Sequence, residues 1–243
     1  MHHTVMRIWR LRRLTVICAL IFAVGTAIIW FVGRQQRTAP AGAFTERMPL
    51  LVIDAGHGGL DGGAVSVTGV RESGINLGIA RRLFDLCRLM GCQCSMTRTS
   101  EDLAYPEEAD TIREKKRWDL ERRVAQINSG GDRVLISIHQ NLYPDARPSG
   151  SQVLYAKTAG SAEFAALAHE QLLRYLCPEN RRVAAPAADS IYILKEARCP
   201  AILVECGFLS NETEAKQLVT GQYQTRIAAI LCSSFVQYYT KAI

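Results

Sequence analysis

The chain has no Gly-x-Ser-x-Gly turn, so it lacks the nucleophile turn of the common α/β serine hydrolases. It has no Cys-x-x-Cys pair, which argues against a thiolate zinc site. It has no internal repeat and no low-complexity tract, which excludes a solenoid or a linker-rich chain. Acids are missing altogether from residues 1–37, where Arg7, Arg10, Arg12, Arg13, Arg34 and Arg37 lie. Removing those six from the 29 basic residues leaves 23 against 23 acids, so the rest of the chain is formally neutral. The pI near 9.0 therefore carries no indication of nucleic acid. Histidine is scarce: beyond the first few residues there are only His57, His139 and His169. Cys18 lies in an apolar run, and the other seven cysteines are odd in number and match no disulfide scaffold. Most sit in apolar stretches and are expected to be buried free thiols.

What is present begins with an uncharged, mostly apolar run over residues 14–32. Its length is close to the roughly 20 residues that span a bilayer, and exceeds the roughly 7–15 of a cleaved signal core. Four arginines precede it and two follow, an asymmetry that keeps the N-terminus inside. The expected organisation is a single-pass membrane anchor over residues 1–33, a polar linker over 34–48, and a catalytic domain over 49–243. A long signal peptide cut after Ala41-Gly42-Ala43 is the alternative, which would make the protein secreted. Either reading sends the domain out of the cytoplasm.

From Leu50 strand and helix patterns alternate. Strands are expected at 50–53, 93–97, 133–138, 151–155, 191–194 and 201–205. Helices are expected at 72–90, 118–128, 161–176 (with Ser161 as cap), 212–219 and 223–239. Residues 98–116 read as a charged loop, residues 180–189 as a second loop, and residues 207–211 as a turn. Alternation with strands this apolar implies one three-layer α/β domain: a twisted, mostly parallel sheet with helices on both faces.

Three of these strands run into residues able to do chemistry. The first leads into Leu51-Val52-Ile53-Asp54-Ala55-Gly56-His57-Gly58-Gly59, where glycines allow a sharp turn around one histidine. Another runs into His139, another into Glu205, and Glu72 opens the first helix. Strand ends on one sheet edge converge, so residues distant in sequence can meet. Two histidines and one carboxylate form a zinc set that leaves a fourth position for water. Zinc lowers the pKa of that water to about 7 and polarises a carbonyl. A further glutamate would then serve as proton carrier. Glu72 and Glu205 supply one ligand and one base, and the residue types alone do not say which is which. Ser137 shares a strand face with His139, which suits support better than attack, and Cys206 alternates away from Glu205 into packing.

Taken in order, four motifs carry a resemblance. They are Ile53-Asp54-Ala55-Gly56-His57-Gly58-Gly59, then Glu72-Ser73-x-x-Asn76, then Ser137-Ile138-His139-Gln140-Asn141, then Val204-Glu205-Cys206-Gly207-Phe208-Leu209-Ser210-Asn211. Together with Thr97-Arg98 and Leu120-x-x-Arg123-x-x-x-x-Asn128, they resemble the zinc-dependent N-acetylmuramoyl-L-alanine amidases, most of all the spore-cortex branch. The resemblance implies that His57, Glu72 and His139 bind zinc and that Glu205 is the catalytic acid/base. It also implies peptidoglycan as substrate, cut at the amide between the muramic acid lactyl group and L-alanine, so that muramic δ-lactam can form. A zinc peptidase cutting within the stem peptide is the alternative enzyme, and a tethered wall-binding protein the non-enzymatic one. Cell-wall binding repeats are absent, so recruitment must come from the anchor or from a protein partner.

Overall fold

The computed structural model describes Thr26 and residues 48–241. In chain order the elements are β1 (Leu50–Ala55), α1 (Glu72–Leu89), β2 (Cys94–Met96), α2 (Ile112–Ile127), β3 (Arg133–Asn141) and β4 (Gln152–Tyr155). There follow α3 (Ser161–Tyr175), β5 (Ala185–Pro186), α4 (Tyr192–Glu196), β6 (Ala201–Phe208), α5 (Glu212–Leu218) and α6 (Gly221–Lys241). The six strands form one sheet in the order β2-β1-β3-β6-β4-β5. All pairings are parallel except β4 with β6, so the sheet is mixed but mostly parallel. The expected anchor over 1–33 and linker over 34–48 lie outside the described residues but for Thr26 and Met48. Among the described residues no helix is long and apolar enough to cross a membrane.

Strand alternation divides the core in two. Leu51, Ile53, Ala55, Val134, Ile136, Ile138, Ile202 and Val204 face α1, α3 and α6. Val52, Leu135 and Leu203 face the smaller cluster with Ile127 of α2 and Ile193 and Leu194 of α4. Burying each such Leu or Ile contributes about 1.5–3 kcal/mol. Continuing the second alternation toward the strand ends gives Asp54, Ser137, His139 and Glu205. The α2 face of the sheet thus changes from apolar to polar at its carboxyl edge. From β1 the chain turns first to β2 on one side and then to β3 on the other, so the switch of direction falls between the strands that lead to His57 and His139.

Several expected boundaries move. Helix α2 starts at Ile112, not at residue 118, because Thr111 and Glu114 form a capping box: the Glu114 N–H donates to Thr111 Oγ1, and the Thr111 N–H donates to the Glu114 carboxylate. Its first turns are too polar to show an apolar period. Residues 191–194 are not a strand but part of short α4; a brief apolar run does not distinguish the two. Residues 185–186 form an edge strand inside the expected loop, and Pro186 is tolerated because it sits at that edge. Gly207 and Phe208 belong to β6 rather than to a turn. Ser161 is the first helical residue after Gly160 and does not cap the helix; its hydroxyl accepts the Ala201 N–H. The seven described cysteines are free thiols, four of them buried.

A buried ion network ties α2 to β1. Arg123 donates to Asp54 Oδ1 at 2.9 Å and pairs with Asp119 at 2.7 Å, with both the Arg123 and Asp54 side chains almost wholly enclosed. Burial pushes the Asp54 carboxyl up, but Arg123 and the hydroxyls of Ser137 and Thr97 outweigh it and hold the pKa at about 2. Removing one partner of such a pair leaves the other charge buried alone, so Arg123→Met should cost about 3–5 kcal/mol in urea unfolding. Because the folded pKa of Asp54 lies below its unfolded value, its contribution is whole above about pH 4 and disappears as pH falls toward 2. Unfolding free energy measured across that window should drop by about 2 kcal/mol on this account.

Candidate active site at the carboxyl edge of the sheet

The turn after β1 is held by its carbonyls. Arg123 donates to the carbonyls of Ala55 and His57, each at 2.6 Å. Arg98, also buried, donates to the carbonyls of Ala55, Gly56 and Ser73 at 2.8–3.0 Å. Two guanidinium groups thus satisfy consecutive backbone acceptors that the sheet no longer pairs. Within the turn His57 itself has φ 60°, a left-handed conformation uncommon for a side-chain-bearing residue. Gly58 has φ 129°, and a Cβ there would run into the Arg98 guanidinium.

The structure brings His57, Glu72 and His139 together. One ligand atom from each lies within 4.8 Å of the others. His57 Nε2 is 3.3 Å from Glu72 Oε2, and His139 Nδ1 is 3.1 Å from Glu72 Oε1. Glu72 comes from the start of α1 and is fixed by three N–H donors: Ala64 N, Gln140 N and Asn76 Nδ2, at 2.9, 3.0 and 3.2 Å. A Cβ on Gly56 would overlap the His139 imidazole, and one on Gly63 would overlap both Glu72 and the His57 ring. The glycines are therefore spaces that the three side chains fill.

Glu205 stands beside His139. The two are register partners across β3 and β6, and the register shifts immediately afterwards, a bulge at the site. Glu205 Oε2 is buried with no hydrogen-bond partner. Neither buried arginine pairs with it: Arg98 pairs with Glu101, and Arg123 with Asp54 and Asp119. Burial, aided by Glu72 and opposed by the two histidines, pushes its pKa up. Burial opposes charge on His139, yet Glu72, Glu205 and Asp54 raise its pKa above the ordinary value. The site favours added positive charge. Two imidazole nitrogens and a carboxylate in an acid-rich pocket are donors that fit a zinc ion.

Other candidates take supporting places. Asp54 is not part of the trio but lies beneath it, bonded to Ser137, Thr97 and Arg123. Cys206 is fully buried, and burial and Glu205 push its thiol pKa up, which does not suit a nucleophile. His169 is buried in α3, with its Nε2 bonded to the Arg182 carbonyl at 2.9 Å. Arg122, Arg181 and Arg182 bond backbone carbonyls or neighbouring side chains. Two features escaped the sequence reading. One is Asp61, bonded to His57 Nδ1 at 3.0 Å; its position four residues along a glycine-rich turn was a weak signal. The other is the pair of arginines serving one turn, which no local pattern announces.

These features define a class: an α/β domain whose strands gather two imidazoles and two carboxylates at one edge, the build of a metal-assisted hydrolase. Residues 51–235 match the family described as N-acetylmuramoyl-L-alanine amidase, and the chain belongs to that family. It is similar to the germination-specific N-acetylmuramoyl-L-alanine amidase of Bacillus subtilis, at 33% identity over 227 residues covering 91% of this chain and 94% of that one. Among solved structures it resembles the CwlD amidase from Clostridioides difficile in complex with the GerS lipoprotein. That likeness has a TM-score of 0.75 and 34% identity over 80% of this chain and 100% of the other. The N-acetylmuramoyl-L-alanine amidase from Clostridium difficile 630 is also similar, with a TM-score of 0.67 and 28% identity over 79% of this chain and 96% of that one.

The close fit of His139 against Gly56 generates a prediction. Gly56→Ala should displace the imidazole, lower wall-lytic activity about 100-fold and cost about 1–3 kcal/mol of stability. Dye release from labelled sacculi and urea unfolding of the same variant measure the two effects.

Proposed function

We propose that this chain is a zinc hydrolase that cuts the amide between N-acetylmuramic acid and L-alanine in peptidoglycan, acting in the spore cortex. The observation that carries the reading is the gathering of His57, Glu72 and His139 within 4.8 Å, with the unpartnered oxygen of Glu205 one strand away. In this reading His57, Glu72 and His139 hold zinc. Bound there, zinc supplies Lewis acidity, polarising the scissile carbonyl and lowering the pKa of water to about 7.

The remaining chemistry belongs to the chain. Glu205 accepts the proton of the attacking water on its free carboxylate oxygen and hands it to the departing L-alanine nitrogen. Its burial raises its pKa, which helps it take up that proton. Glu72, held by Ala64, Gln140 and Asn76, cannot swing to take that role. Asp54 stays ionised beneath the strands, where Arg123 absorbs its charge. The products are a peptide-free muramic acid, able to close to a δ-lactam, and a stem peptide with a free L-alanine N-terminus.

Location follows from the sequence. Residues 1–33 serve as a single-pass anchor, 34–48 as a tether, and 49–243 work outside the cytoplasm against the wall. The similar C. difficile protein is found with a lipoprotein, and in this reading a protein partner brings the domain to its substrate.

Digestion of purified sacculi by the full chain tests the reading. Mass spectrometry should find stem peptides beginning at L-alanine. Cuts inside the stem would favour the zinc peptidase instead. Glu205→Ala should keep zinc and lose about 100- to 10,000-fold in rate, whereas His57→Ala should lose both zinc and activity. An active Glu205→Ala enzyme would remove Glu205 from the role.

A further inference from the structure

The charged stretch before α2 packs against the turn that carries His57. The Gly59 N–H donates to the Glu101 carbonyl at 2.7 Å, and the Leu60 N–H donates to the Tyr105 hydroxyl at 3.1 Å. Tyr105 in turn meets the Trp118 ring edge-on, at 5.9 Å between centroids. Through this contact Lys116, in the second turn of α2, reaches Asp61, with Nζ 2.9 Å from Oδ1. The other Asp61 oxygen, Oδ2, lies 3.0 Å from His57 Nδ1.

Asp61 is not a freely moving surface acid. Gly58 and Asp61 exchange backbone hydrogen bonds at 2.7 and 3.0 Å, closing the turn and setting the carboxylate against the imidazole. The Gly63 N–H adds a contact to Oδ1 at 3.3 Å. The same ring presents its other nitrogen, Nε2, to Glu72. A neutral imidazole carries one proton, and an ionised carboxylate is an acceptor only. Both nitrogens face carboxylates, but the Nδ1–Asp61 contact is a hydrogen bond at 3.0 Å, whereas Nε2 lies 3.3 Å from Glu72 without hydrogen-bond geometry, so the single ring proton is placed on Nδ1 and the lone pair on Nε2.

We propose that Asp61, steadied by Lys116, is a positioning residue for His57: it holds the ring proton on Nδ1 and presents Nε2 as a lone pair to the metal position. The proposal rests on His57 being a metal ligand, as argued above. It also assigns a task to the charged segment ahead of α2. The capping box at Thr111 starts the helix at the point that lets Lys116 reach the turn. Lys116 is half exposed, so its ion pair has little strength of its own, and its effect is transmitted through Asp61.

Two measurements on the full chain test this. The first is zinc affinity by competition with a chromogenic chelator. Asp61→Ala should weaken zinc binding about 10- to 100-fold, as loss of an outer partner of a ligating histidine does. Lys116→Met should weaken it about two- to fivefold. The double variant should be no weaker than Asp61→Ala alone, because Lys116 acts only through Asp61. The second is the long-range proton–nitrogen spectrum of the metal-free, histidine-labelled chain. It should show His57 as the Nδ1–H tautomer in the parent and in Asp61→Asn, which keeps an acceptor oxygen, and a shift to a mixture or to Nε2–H in Asp61→Ala. A purely structural role would lower the thermal midpoint without moving the tautomer. Unchanged zinc affinity and tautomer in Asp61→Ala overturn the proposal, as does an additive double variant for the part played by Lys116. His57→Ala separates the two layers: if it binds zinc as tightly as the parent, the ligand reading has failed. If it loses zinc while Asp61→Ala does not, only the positioning has failed.

Discussion

Everything at the active edge depends on two buried arginines that hold one turn by its carbonyls. As β1 ends, the chain leaves the sheet, and the acceptors of Ala55, Gly56 and His57 lose their ladder. An unpaired buried acceptor costs about 1–3 kcal/mol, so three in succession would let the turn open to water. Arg98 reaches them from just after β2 and Arg123 from α2. The price is two desolvated cations, offset by Asp54 and Asp119 for Arg123 and by Glu101 for Arg98. Asp54 thus belongs to the foundation of the site and not to its chemistry, although it stands in the same motif as His57.

On this foundation the site gathers negative charge. Glu72, Glu205 and Asp61 surround two imidazoles, with Asp54 below, and His139 responds with a raised pKa. Such an arrangement is unfavourable unless positive charge is close. Lys116 and Arg123 supply part of it at the periphery. A divalent ion held by His57, Glu72 and His139 would supply the rest at the centre. The division between the two glutamates also follows from environment. Glu72 spends both oxygens on N–H donors and the histidines, while one Glu205 oxygen is left without a partner. The one with a free oxygen is the one proposed as the proton carrier.

Much of the fold was legible in the chain. The apolar strands leading to His57, His139 and Glu205 are short runs between turn signals, and α1 shows an apolar period along one face. Those signals are local, so they survive reading in one dimension. The misplaced elements had ambiguous or weak local signals. Residues 112–117 are too polar to betray a helix by period, and only Thr111 with Glu114 marks its start. Ile193 and Leu194 form an apolar run that fits strand and helix alike. Pro186 masks an edge strand that exists only because β4 is there to pair with it.

Contiguous residues alone reveal which residue types are available for chemistry, that three strands deliver them to their ends, and the family through the order of its motifs. They do so because strand identity, glycine turns and motif spacing are local properties of the chain. Packing in three dimensions settles which glutamate keeps a free oxygen, that Asp54 pairs with Arg123 outside the trio, and that Asp61 and Lys116 meet His57. Those distinctions depend on distances between segments far apart in the chain, and on which carbonyl or carboxylate is left without a partner once the segments have packed.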